Sequence, residues 1–593
     1  MRAPLPLPAL AAALALAGCG AAAAPPSILL VTLDTTRADR IGAYGYADAG
    51  TPALDALAAR GLLVERAIAP VPLTLPSHTS LMTGLEPPVH GVRDNSVFQV
   101  PADASTLAEE LAAAGWRTAA FVSAYPLDGV FGLDQGFEHY DDQLGVAGQE
   151  AVGAMHERRG DRTTDRALRW LDDLDPDEPF FAWVHLFDPH YPLTPPEPFA
   201  GRFPADPYQA EISFADAQVG RLVERLAERG RGDGTLVVVT SDHGESLGEF
   251  GEVSHGNLLY DGTQRVPLVL AGPGVAAGVT LPGPAGLTDV TATLRAFAGL
   301  PPGAGDGVPL ALDGVSDPGG RAAYLETVYP RLHFGWSELF ALEREGWKVV
   351  LAPGVEGGGI ELWRAGEERP GGDLTGDEPE VAARLAADLA RWRDELAARA
   401  LGGDATPAAE ADLEALEALG YTGVDVEVDL DAGVPGRDPR DVVGASVASN
   451  LMRTALSLGD KEAAAFQLAR IVELDPGGIL EHESRGFVEL ARGLAGGRDD
   501  AALGRAKAAF ERALELAPGR RGLWQRLAEV RLALDEPEPA YVAARHAASL
   551  APPTDAIETL LTTLRTRLGH ERDAARARGE DAEAARLEAL LAE

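Results

Sequence analysis

Cysteine is almost missing from this sequence of 593 residues, and Cys19 is the only one. A single thiol excludes an intramolecular disulfide. Lysine is nearly as scarce, with Lys348, Lys461 and Lys507 as its only occurrences, so the basic residues are almost all arginine. The formal net charge is −40, which makes nucleic acid and anionic membrane surfaces poor partners for the chain as a whole.

A run of apolar residues long enough to cross a bilayer is not found at the N-terminus, where residues 5–17 form a shorter one. This run follows Arg2 and is typical of a secretory signal peptide, and its end, Leu16-Ala-Gly-Cys19, resembles a bacterial lipoprotein box. We therefore expect a lipoprotein signal over residues 1–19, a spacer over 20–26, and a lipid on Cys19. The alternative is a plain signal peptide with a chance cysteine. Either way we expect an exported protein, periplasmic or at the cell surface. If Cys19 carries the lipid, we expect that anchor to be the only membrane contact.

Apolar residues make up 46% of the chain, so a sizeable core is expected, and the length suggests two or three domains. Several continuous apolar runs end abruptly in polar residues and alternate with helix-like stretches such as 106–114, 164–174 and 215–229. This alternation predicts an α/β fold with a mixed, mostly parallel sheet covered by helices on both faces.

Ligands of such sheets bind outside the carboxyl ends of the strands. In this sequence those ends are polar: the run Ser27–Leu33 meets Asp34, and the run 235–240 is followed by Asp242 and His243. The runs 117–122 and 180–184 are followed by Ser123, Tyr125, His185, Asp188 and His190. The pattern alone therefore predicts an active site at this edge of the sheet.

The rest of the chain divides into smaller units. Residues 313–400 indicate a small α+β part of the 27–400 domain, with a strand at Trp347–Leu351 and a helix at Val381–Ala398. Residues 401–442 are rich in Gly, Pro and Asp and predict a linker that few contacts cross, with one short helix near Leu413–Leu419.

Beyond the linker the sequence is helical, with a Leu-Asp/Ala-Pro motif that recurs at 474–476, 516–518 and 550–552, spacings of 42 and 34 residues. A 34-residue helix-turn-helix period resembles tetratricopeptide repeats, which we place at 443–553, with further helices at 554–593. The alternative is an unrelated helical bundle. Such repeats are expected to bind an unidentified peptide or protein in a concave groove.

The most informative local motif is Thr74-Leu-Pro-Ser-His-Thr-Ser-Leu-Met-Thr-Gly84. Pro76 suits the first turn of a helix, and Gly84 suits its end. The hydroxyl of Thr74 would then lie at a helix N-terminus, where backbone N–H groups favour an oxyanion.

This motif resembles the sulfatase signature, in which Cys or Ser is followed by x-Pro-Ser-Arg and then by Leu-x-Thr-Gly. Further elements of that family follow in family order: Leu33-Asp34, Pro189-His190, Ser241-Asp-His-Gly-Glu245 and Arg265-Val-Pro-Leu268. Residues 27–400 are therefore similar to the sulfatase family of the alkaline-phosphatase superfamily. The resemblance implies a metal-dependent hydrolase of sulfate, phosphate or phosphonate esters of a small molecule, glycan or lipid.

The resemblance also assigns roles to single residues. Asp34, Asp242 and His243 match metal ligands, and Thr74 matches the nucleophile. A threonine hydroxyl is a weak nucleophile that needs a base or a metal to activate it, and a divalent cation between carboxylates can do this. Taken singly, each residue could instead serve as a helix cap or part of a turn.

The departures from the family are equally informative. Threonine cannot be oxidised to the formylglycine aldehyde of sulfatases, so no formylglycine is expected. Thr35 replaces the usual second metal-binding Asp, and His78 replaces the Arg of the signature. Ser123-Ala-Tyr125 replaces a Lys-Trp-His element that cradles sulfate, and His255 replaces a later Lys. Asn95 matches a substrate-contacting asparagine of phosphonate monoester hydrolases.

These changes remove fixed cations from the predicted pocket and add histidines. One explanation is a second metal at Asp188, His190 and His255, because threonine-dependent relatives in the superfamily use zinc and such ligands suit it. The alternative is that His190 and His255 bind the oxyanion of the substrate. His185, earlier on its strand, could equally be a core residue.

We therefore expect Thr74, His78, His190 and His255 in catalysis and Asn95, Ser123 and Tyr125 in substrate binding, with one or two divalent cations (Ca²⁺, Zn²⁺ or Mn²⁺). Two rival functions stay open at this point. One is a transferase of the phosphoethanolamine type. The other is an inactive sulfatase fold that serves a repeat-based scaffold.

Overall fold

We describe the fold from a computed structural model over residues 26–95, 98–144, 157–303, 305–315, 320–356, 359–401, 435–495, 497–550 and 555–592. The expected signal with Cys19, the spacer up to residue 25, and residues 402–434 of the expected linker lie outside these ranges. Within them, we find no helix with both the length and the apolar character that a membrane span requires.

The strands of the α/β part begin where the apolar runs of the sequence begin. They are β1 (Ser27–Leu33), β2 (Leu62–Val64), β3 (Ala67–Ile68), β4 (Arg117–Phe121), β5 (His139–Asp141), β6 (Phe180–Leu186), β7 (Thr235–Ser241), β8 (Ser246–Leu247), β9 (Val253–Ser254), β10 (Arg265–Val266), β11 (Leu268–Ala271), β12 (Val279–Leu281) and β13 (Ala285–Gly286). Eight of them form the central sheet, in the order β12-β2-β11-β7-β1-β6-β4-β5. The five strands from β7 to β5 in this order run parallel, and β11 is antiparallel to both of its neighbours. The predicted mixed, mostly parallel sheet is confirmed.

Helices cover both faces of the central sheet. The helices of the α/β part as a whole are α1 (Pro52–Ala59), α2 (Thr74–Thr83), α3 (Pro87–His90), α4 (Leu107–Ala113), α5 (Gly160–Asp173), α6 (Phe199–Arg202), α7 (Pro207–Glu228), α8 (Asp261–Gln264), α9 (Leu287–Phe297), α10 (Tyr329–Phe334) and α11 (Pro379–Ala397). Alternate residues of a strand face opposite sides, so Leu30 of β1 packs on one side with α2, α4 and α9. Val31 packs on the other side with α1, α5 and α7.

A second, smaller sheet follows the main one. Its strands β14 (Ala322–Thr327), β15 (Leu339–Arg344), β16 (Trp347–Leu351) and β17 (Ile360–Arg364) are antiparallel neighbours in chain order. Leu385 and Leu389 of α11 pack against one face of this sheet. The strand at Trp347–Leu351 spans the expected residues, and the helix begins two residues earlier than expected.

The C-terminal part is helical throughout its described residues. It contains α12 (Pro439–Ser457), α13 (Lys461–Leu474), α14 (Ile479–Leu494), α15 (Asp500–Leu516), α16 (Arg521–Ala533), α17 (Pro537–Leu550), α18 (Asp555–Ala577) and α19 (Asp581–Ala592). Each odd-numbered helix of this set packs on the helix that precedes it in the chain. Helix-turn-helix pairs are what a tetratricopeptide array requires, but the assignment to that family stays a prediction. We call residues 435–592 the helical region.

The expectation that few contacts join the helical region to the α/β part is wrong. The core beneath α2 continues through Trp336 into α12, where Val442, Ala445 and Met452 are buried in the same cluster. Arg440, at the start of α12, forms an ion pair with Glu361 of β17. Chain composition reports the flexibility of a connecting segment, but it does not report whether the units that it joins have complementary apolar surfaces.

Candidate active site

Two acidic side chains meet where β1 and β7 end. Leu33 and Ser241 are register partners in this parallel pair, so the residues that follow them, Asp34 and Asp242, leave the sheet side by side. With His243 they form a group of possible ligand atoms that all lie within 4.8 Å of one another, and all three side chains are buried. The predicted metal ligands are therefore brought together by strand register alone.

Several polar atoms of this group have no hydrogen-bond partner among the described residues. They are both carboxylate oxygens of Asp34, Oδ2 of Asp242 and Nε2 of His243. Burial and the neighbouring Asp242 carboxylate raise the pKa of Asp34 well above its usual value. Two buried carboxylates without a positive partner are costly, because desolvation and mutual repulsion both act against their charged forms.

A divalent cation fits this arrangement. The ring nitrogen Nδ1 of His243 faces the carbonyl oxygen of Gly244 at 2.9 Å, and a carbonyl can only accept, so Nδ1 carries the proton and Nε2 keeps its lone pair. Asp242 uses Oδ1 to accept from the backbone N–H groups of Thr35 and His243, which leaves Oδ2 for a ligand. Carboxylate oxygens and a neutral imidazole nitrogen are ligands of zinc and manganese.

Thr74 is the first residue of α2, as the motif predicts, and it is buried beside this cluster. The helix is fixed to the end of β7 by Ser77, whose hydroxyl donates to the carbonyl oxygen of Asp242 at 2.7 Å. It ends at Gly84, where a φ of 73° suits glycine. The register of the motif thus places the threonine hydroxyl and the acidic pair on adjoining elements.

The backbone N–H groups at the start of α2 are mostly occupied. Leu75 donates to Oδ1 of Asn95 at 2.8 Å, Pro76 has no N–H, and Ser77 donates to the carbonyl oxygen of Leu73. Asn95 keeps a buried side-chain Nδ2 that has no partner within the described residues. Near Thr74, the side-chain amide of Asn95 is therefore a donor without a partner among the described residues, whereas the N–H groups of Leu75 and Ser77 are already bonded.

The functional part of the chain also resembles known proteins. The sulfatase family model matches residues 26–300. Human arylsulfatase A is 29% identical over 334 residues, which are 47% of this chain and 65% of that protein. Choline-sulfatase of Rhizobium meliloti is 44% identical over 93 residues, 16% of this chain and 18% of that protein. Residues 26–300 are therefore similar to the sulfatase family.

The fold of solved relatives agrees with this assignment. The phosphonate monoester hydrolase of Agrobacterium radiobacter superposes with a TM-score of 0.53 at 23% identity, covering 63% of this chain and 96% of that chain. At this identity the likeness concerns the fold. The chain spans just under two thirds of the length of the human arylsulfatase that it matches.

His78 stands where the sulfatase signature has arginine, and its hydrogen bonds revise the prediction that it acts in catalysis. The indole N–H of Trp183 can only donate, and it lies 3.0 Å from the hydroxyl oxygen of Thr32. The hydroxyl hydrogen of Thr32 is thereby directed to Nε2 of His78 at 3.1 Å, so Nδ1 carries the proton and donates to the carbonyl oxygen of Thr74 at 2.8 Å. Burial lowers the pKa of His78 to about 3, so the ring is neutral. His78 positions the residue that it contacts, and both of its nitrogens are in use.

His255 and His190 lie beside His243. The ring of His255 lies 4.4 Å from that of His243 and 5.4 Å from that of His190. Nδ1 of His255 lies 3.2 Å from a carboxylate oxygen of Glu245, and His190 donates from Nδ1 to the carbonyl oxygen of Tyr191 at 2.7 Å. Burial lowers the pKa of both histidines to about 4, so both rings are neutral.

Asp188 does not join these histidines in a compact ligand group within the described residues. Its Oδ2 accepts from the backbone N–H of Gly160 at 2.8 Å, so the carboxylate is hydrogen-bonded to the N-terminal end of α5. This geometry gives no support to the second metal site expected at Asp188, His190 and His255.

The two expected substrate contacts after β4 are revised as well. The hydroxyl of Ser123 donates to the carbonyl oxygen of His185 and lies 3.0 Å from the hydroxyl of Thr163, so its bonds stay inside the sheet and α5. Tyr125 is buried in the core, edge-on to Phe131. We leave both residues out of the proposed site, because a non-local neighbour decides where each side chain points.

His185 is the residue that sequence reasoning left undecided. It is level with Thr32 in the pairing of β6 with β1, and its Nε2 lies 3.4 Å from Oδ2 of Asp34. The backbone N–H of Ser123 donates to its Nδ1 at 3.4 Å, so Nε2 of the neutral ring carries the hydrogen, although it makes no hydrogen bond to Asp34 at this distance. Burial lowers the pKa of His185 to about 4, which keeps the ring neutral. The sequence does contain an indication of this position. His185 follows the alternate apolar residues Phe181 and Trp183, and the strand that carries them ends at the site.

Proposed function

We propose that this chain hydrolyses sulfate, phosphate or phosphonate esters, with Thr74 as the nucleophile and a divalent cation held by Asp34, Asp242 and His243. The observation that carries the proposal is the group of buried oxygen and nitrogen atoms without partners beside the first residue of α2. An inactive scaffold has no reason to retain such a group, because it lowers the stability of the fold.

The reaction has two steps. Oγ1 of Thr74 attacks the phosphorus or sulfur atom, a bond to that atom forms, the bond to the ester oxygen breaks, and the alcohol leaves with the proton that the threonine loses. Water then attacks the same atom, phosphate or sulfate is released, and the threonine oxygen takes back a proton. A bound divalent cation would lower the pKa of the threonine hydroxyl and neutralise charge on the ester oxygens.

Other residues around Thr74 bind the ester, accept a proton or orient the nucleophile. Asn95 offers Nδ2 to a non-bridging oxygen of the ester, and its Oδ1 keeps the amide oriented through the N–H of Leu75. His190, whose Nδ1 donates to the carbonyl oxygen of Tyr191, has a neutral Nε2 that can accept a proton from water, and His255 lies next to it. His78 holds the carbonyl group of Thr74 itself.

The nucleophile favours phosphorus over sulfur. A formylglycine hydrate has a second hydroxyl on the same carbon, and loss of its proton expels sulfate by elimination. Threonine has a single hydroxyl on that carbon, so its ester has to be cleaved by water. We therefore propose that phosphate or phosphonate esters are turned over at least as fast as sulfate esters.

The test is a panel of 4-nitrophenyl sulfate, 4-nitrophenyl phosphate and 4-nitrophenyl phenylphosphonate, run beside metal analysis and mass spectrometry of the peptide that contains Thr74. We expect an unmodified threonine. Thr74→Ala should abolish turnover, whereas Thr74→Ser should retain part of it because the hydroxyl survives.

A matched control lies in the same helix. Thr79→Ala also removes a buried hydroxyl from α2, one that donates to the carbonyl oxygen of Leu75 within the helix, and it should leave turnover in place. Turnover that survives Thr74→Ala would end the proposal. Aryl sulfate hydrolysis much faster than that of every phosphorus ester, with Thr74 intact, would end the substrate preference alone.

We further propose that the protein is exported and held at a membrane by lipid on Cys19. The support is the apolar run and the Leu16-Ala-Gly-Cys19 motif. Cys19→Ala should move the protein from the membrane fraction to the soluble one without changing its specific activity. Wild-type protein found only in the soluble fraction after export would contradict the anchor.

A further inference from the structure

The helical region packs on one short segment of the α/β part, α10 and the turn after it, residues 329–338, which we call the bridge segment. Trp336 is buried in one cluster with Val442. Gly335 ends α10 with a φ of 70°, and a side chain there would come within 2.8 Å of Ile479 at the start of α14. The N–H of Ser337 donates to the carbonyl oxygen of Arg437 at 2.8 Å.

A buried arginine strengthens this contact. Arg520, directly before α16, is only 3% exposed. Its guanidinium donates to the carbonyl oxygen of His333 in the bridge segment and to Glu483 of α14 at 2.8 Å. A charged group is buried at this depth only where it is paired, so the site holds Arg520 in one geometry.

The other side of the bridge segment touches the loops of the active site. Nε2 of His333 donates to Oδ2 of Asp94 at 3.1 Å, with both side chains fully buried. The ring of His333 stacks on that of Tyr329 at 3.9 Å. The ring of Tyr329 lies over Gly256, the residue after His255, where an added Cβ would be 3.4 Å from the ring.

Asp94 is next in the chain to Asn95, whose amide oxygen accepts from the N–H of Leu75, and Leu75 follows Thr74. A continuous set of polar contacts therefore runs from α16 through the carbonyl and the ring of His333 to the residues beside the nucleophile. Loops that carry active-site groups are held to the required accuracy by such supporting contacts.

We propose that Arg520 and His333 are positioning residues for the active site, and that the helical region thereby forms part of the enzyme rather than an appended binding module. The inference rests on the proposed function, because it takes Thr74 and Asn95 as the groups that act. It assigns the helical region a role that does not depend on any partner protein.

The experiment uses the full chain and the kinetics of 4-nitrophenyl phosphate hydrolysis. Arg520→Met is combined with Glu483→Gln, because Glu483 would otherwise lose one of its two arginine partners, and the pair is compared with His333→Leu. Glu483→Gln alone is the control for the second partner, Arg453, at 3.0 Å. We expect kcat to fall about 10- to 100-fold in both, the size of effect that a small misplacement of reacting groups produces. Metal content should stay that of the wild type, since neither residue contacts the acidic pair.

A rescue separates positioning from a purely structural role. His333→Gln places an amide N–H near the position of Nε2, so it should recover most of the kcat that His333→Leu loses. Arg512→Met removes an exposed arginine of the same region, paired with Glu515, and should have no effect. If Arg520→Met destabilises the chain, the Leu and Gln variants at position 333 still decide the question.

The inference is overturned if Arg520→Met with Glu483→Gln and His333→Leu both keep kcat within about twofold of the wild type. It is also overturned if His333→Gln is as slow as His333→Leu. Its failure differs from a failure of the proposed function, which would appear as undiminished turnover in Thr74→Ala.

Discussion

Two clusters of buried charge are linked to α2, one through Ser77 and one through Asn95, and they are built differently. At the ends of β1 and β7, both carboxylate oxygens of Asp34 and Oδ2 of Asp242 lack hydrogen-bond partners within the described chain. At the bridge segment, Asp94 and Glu483 are each paired, with His333 and Arg520 respectively. Buried carboxylates are common to both clusters, but only those of the second are paired with a basic side chain that donates to them.

This difference indicates that the two clusters contribute to function in different ways. Paired buried charges fix a geometry, and removing one partner leaves the other uncompensated. Unpaired buried carboxylates instead indicate a positive group that the polypeptide does not supply, and a bound cation would offset their mutual repulsion. The first kind supports the proposed positioning role, and the second supports the proposed chemistry.

We expect the largest loss of activity when one carboxylate of the strand-end pair, Asp34 and Asp242, is removed. Asp34→Asn should abolish metal binding and lower kcat by about three orders of magnitude or more, since the cation stabilises the reaction by several kcal/mol. In chelator the same variant should melt at a higher temperature than the wild type, because the repulsion between Asp34 and Asp242 is relieved. Metal analysis and thermal melting in chelator measure both effects.

Asp216 provides the control, because it is a buried acid whose carboxylate accepts from the N–H groups of Ala53 and Leu54. Asp216→Asn should leave the response of the melting temperature to metal unchanged. Equal melting temperatures of Asp34→Asn and the wild type in chelator would show that the acidic pair is not strained, and the comparison between the clusters would lose its basis.

The sequence predicted the first cluster better than the second for a physical reason. Apolar runs locate strands, and parallel neighbours end at one edge, so Asp34, Asp242 and His243 could be grouped without coordinates. Hydrogen-bond partners from distant parts of the chain follow no local pattern. This is why the role of His185 stayed undecided and why Ser123 was expected to face the substrate.

The same reason explains the error about the helical region. Composition indicated a linker over residues 401–442, but the contact between Trp336 and Val442 joins segments that no periodicity relates. The short motif that ends in Gly84 predicted α2 to the residue, since helix starts and ends depend on neighbours in sequence.

Removing the helical region should have the next largest effect. A chain that ends at Ala400 exposes Phe334 and Trp336, and burial of a large apolar side chain contributes about 1.5–3 kcal/mol. We expect a lower melting temperature and aggregation, visible by scanning fluorimetry and light scattering. A monodisperse shortened chain with the melting temperature and kcat of the full chain would show that the bridge segment needs no partner.

A smaller effect is expected at His185, which borders the strand-end cluster. Its Nε2 lies 3.4 Å from Oδ2 of Asp34, so His185→Leu should weaken metal binding about 10- to 100-fold, the usual cost of losing a group that orients a ligand. His185→Gln retains an N–H near the same place and should bind metal more tightly than the leucine variant. Competition with a chromophoric chelator measures the affinities. Equal losses in both variants would mean that His185 binds the cation directly.

The smallest effect concerns Glu211 of α7, a buried acid whose partner is a backbone N–H, that of Thr194 at 2.5 Å. Burial, together with the nearby Asp188, raises the pKa of Glu211 to about 8. A folded-state pKa above the unfolded value means that the folded chain holds the proton more tightly. The contribution of Glu211 to stability is therefore fully present below about pH 4.5 and is lost as the pH rises towards 8.

Glu211→Gln removes this dependence, because the amide oxygen still accepts from Thr194 and never ionises. In chelator, the variant and the wild type should melt at similar temperatures at pH 5, and the variant should melt higher at pH 9, by roughly 2–4 °C for each kcal/mol gained. Glu224→Gln, on the exposed side of the same helix, should follow the wild type at both pH values. If Glu211→Gln melts lower than the wild type at pH 9, the charged form of Glu211 stabilises the fold. A buried acid with a backbone donor would then stabilise the fold as the paired acids do. The acidic pair at the strand ends would differ from it only in its need for a cation.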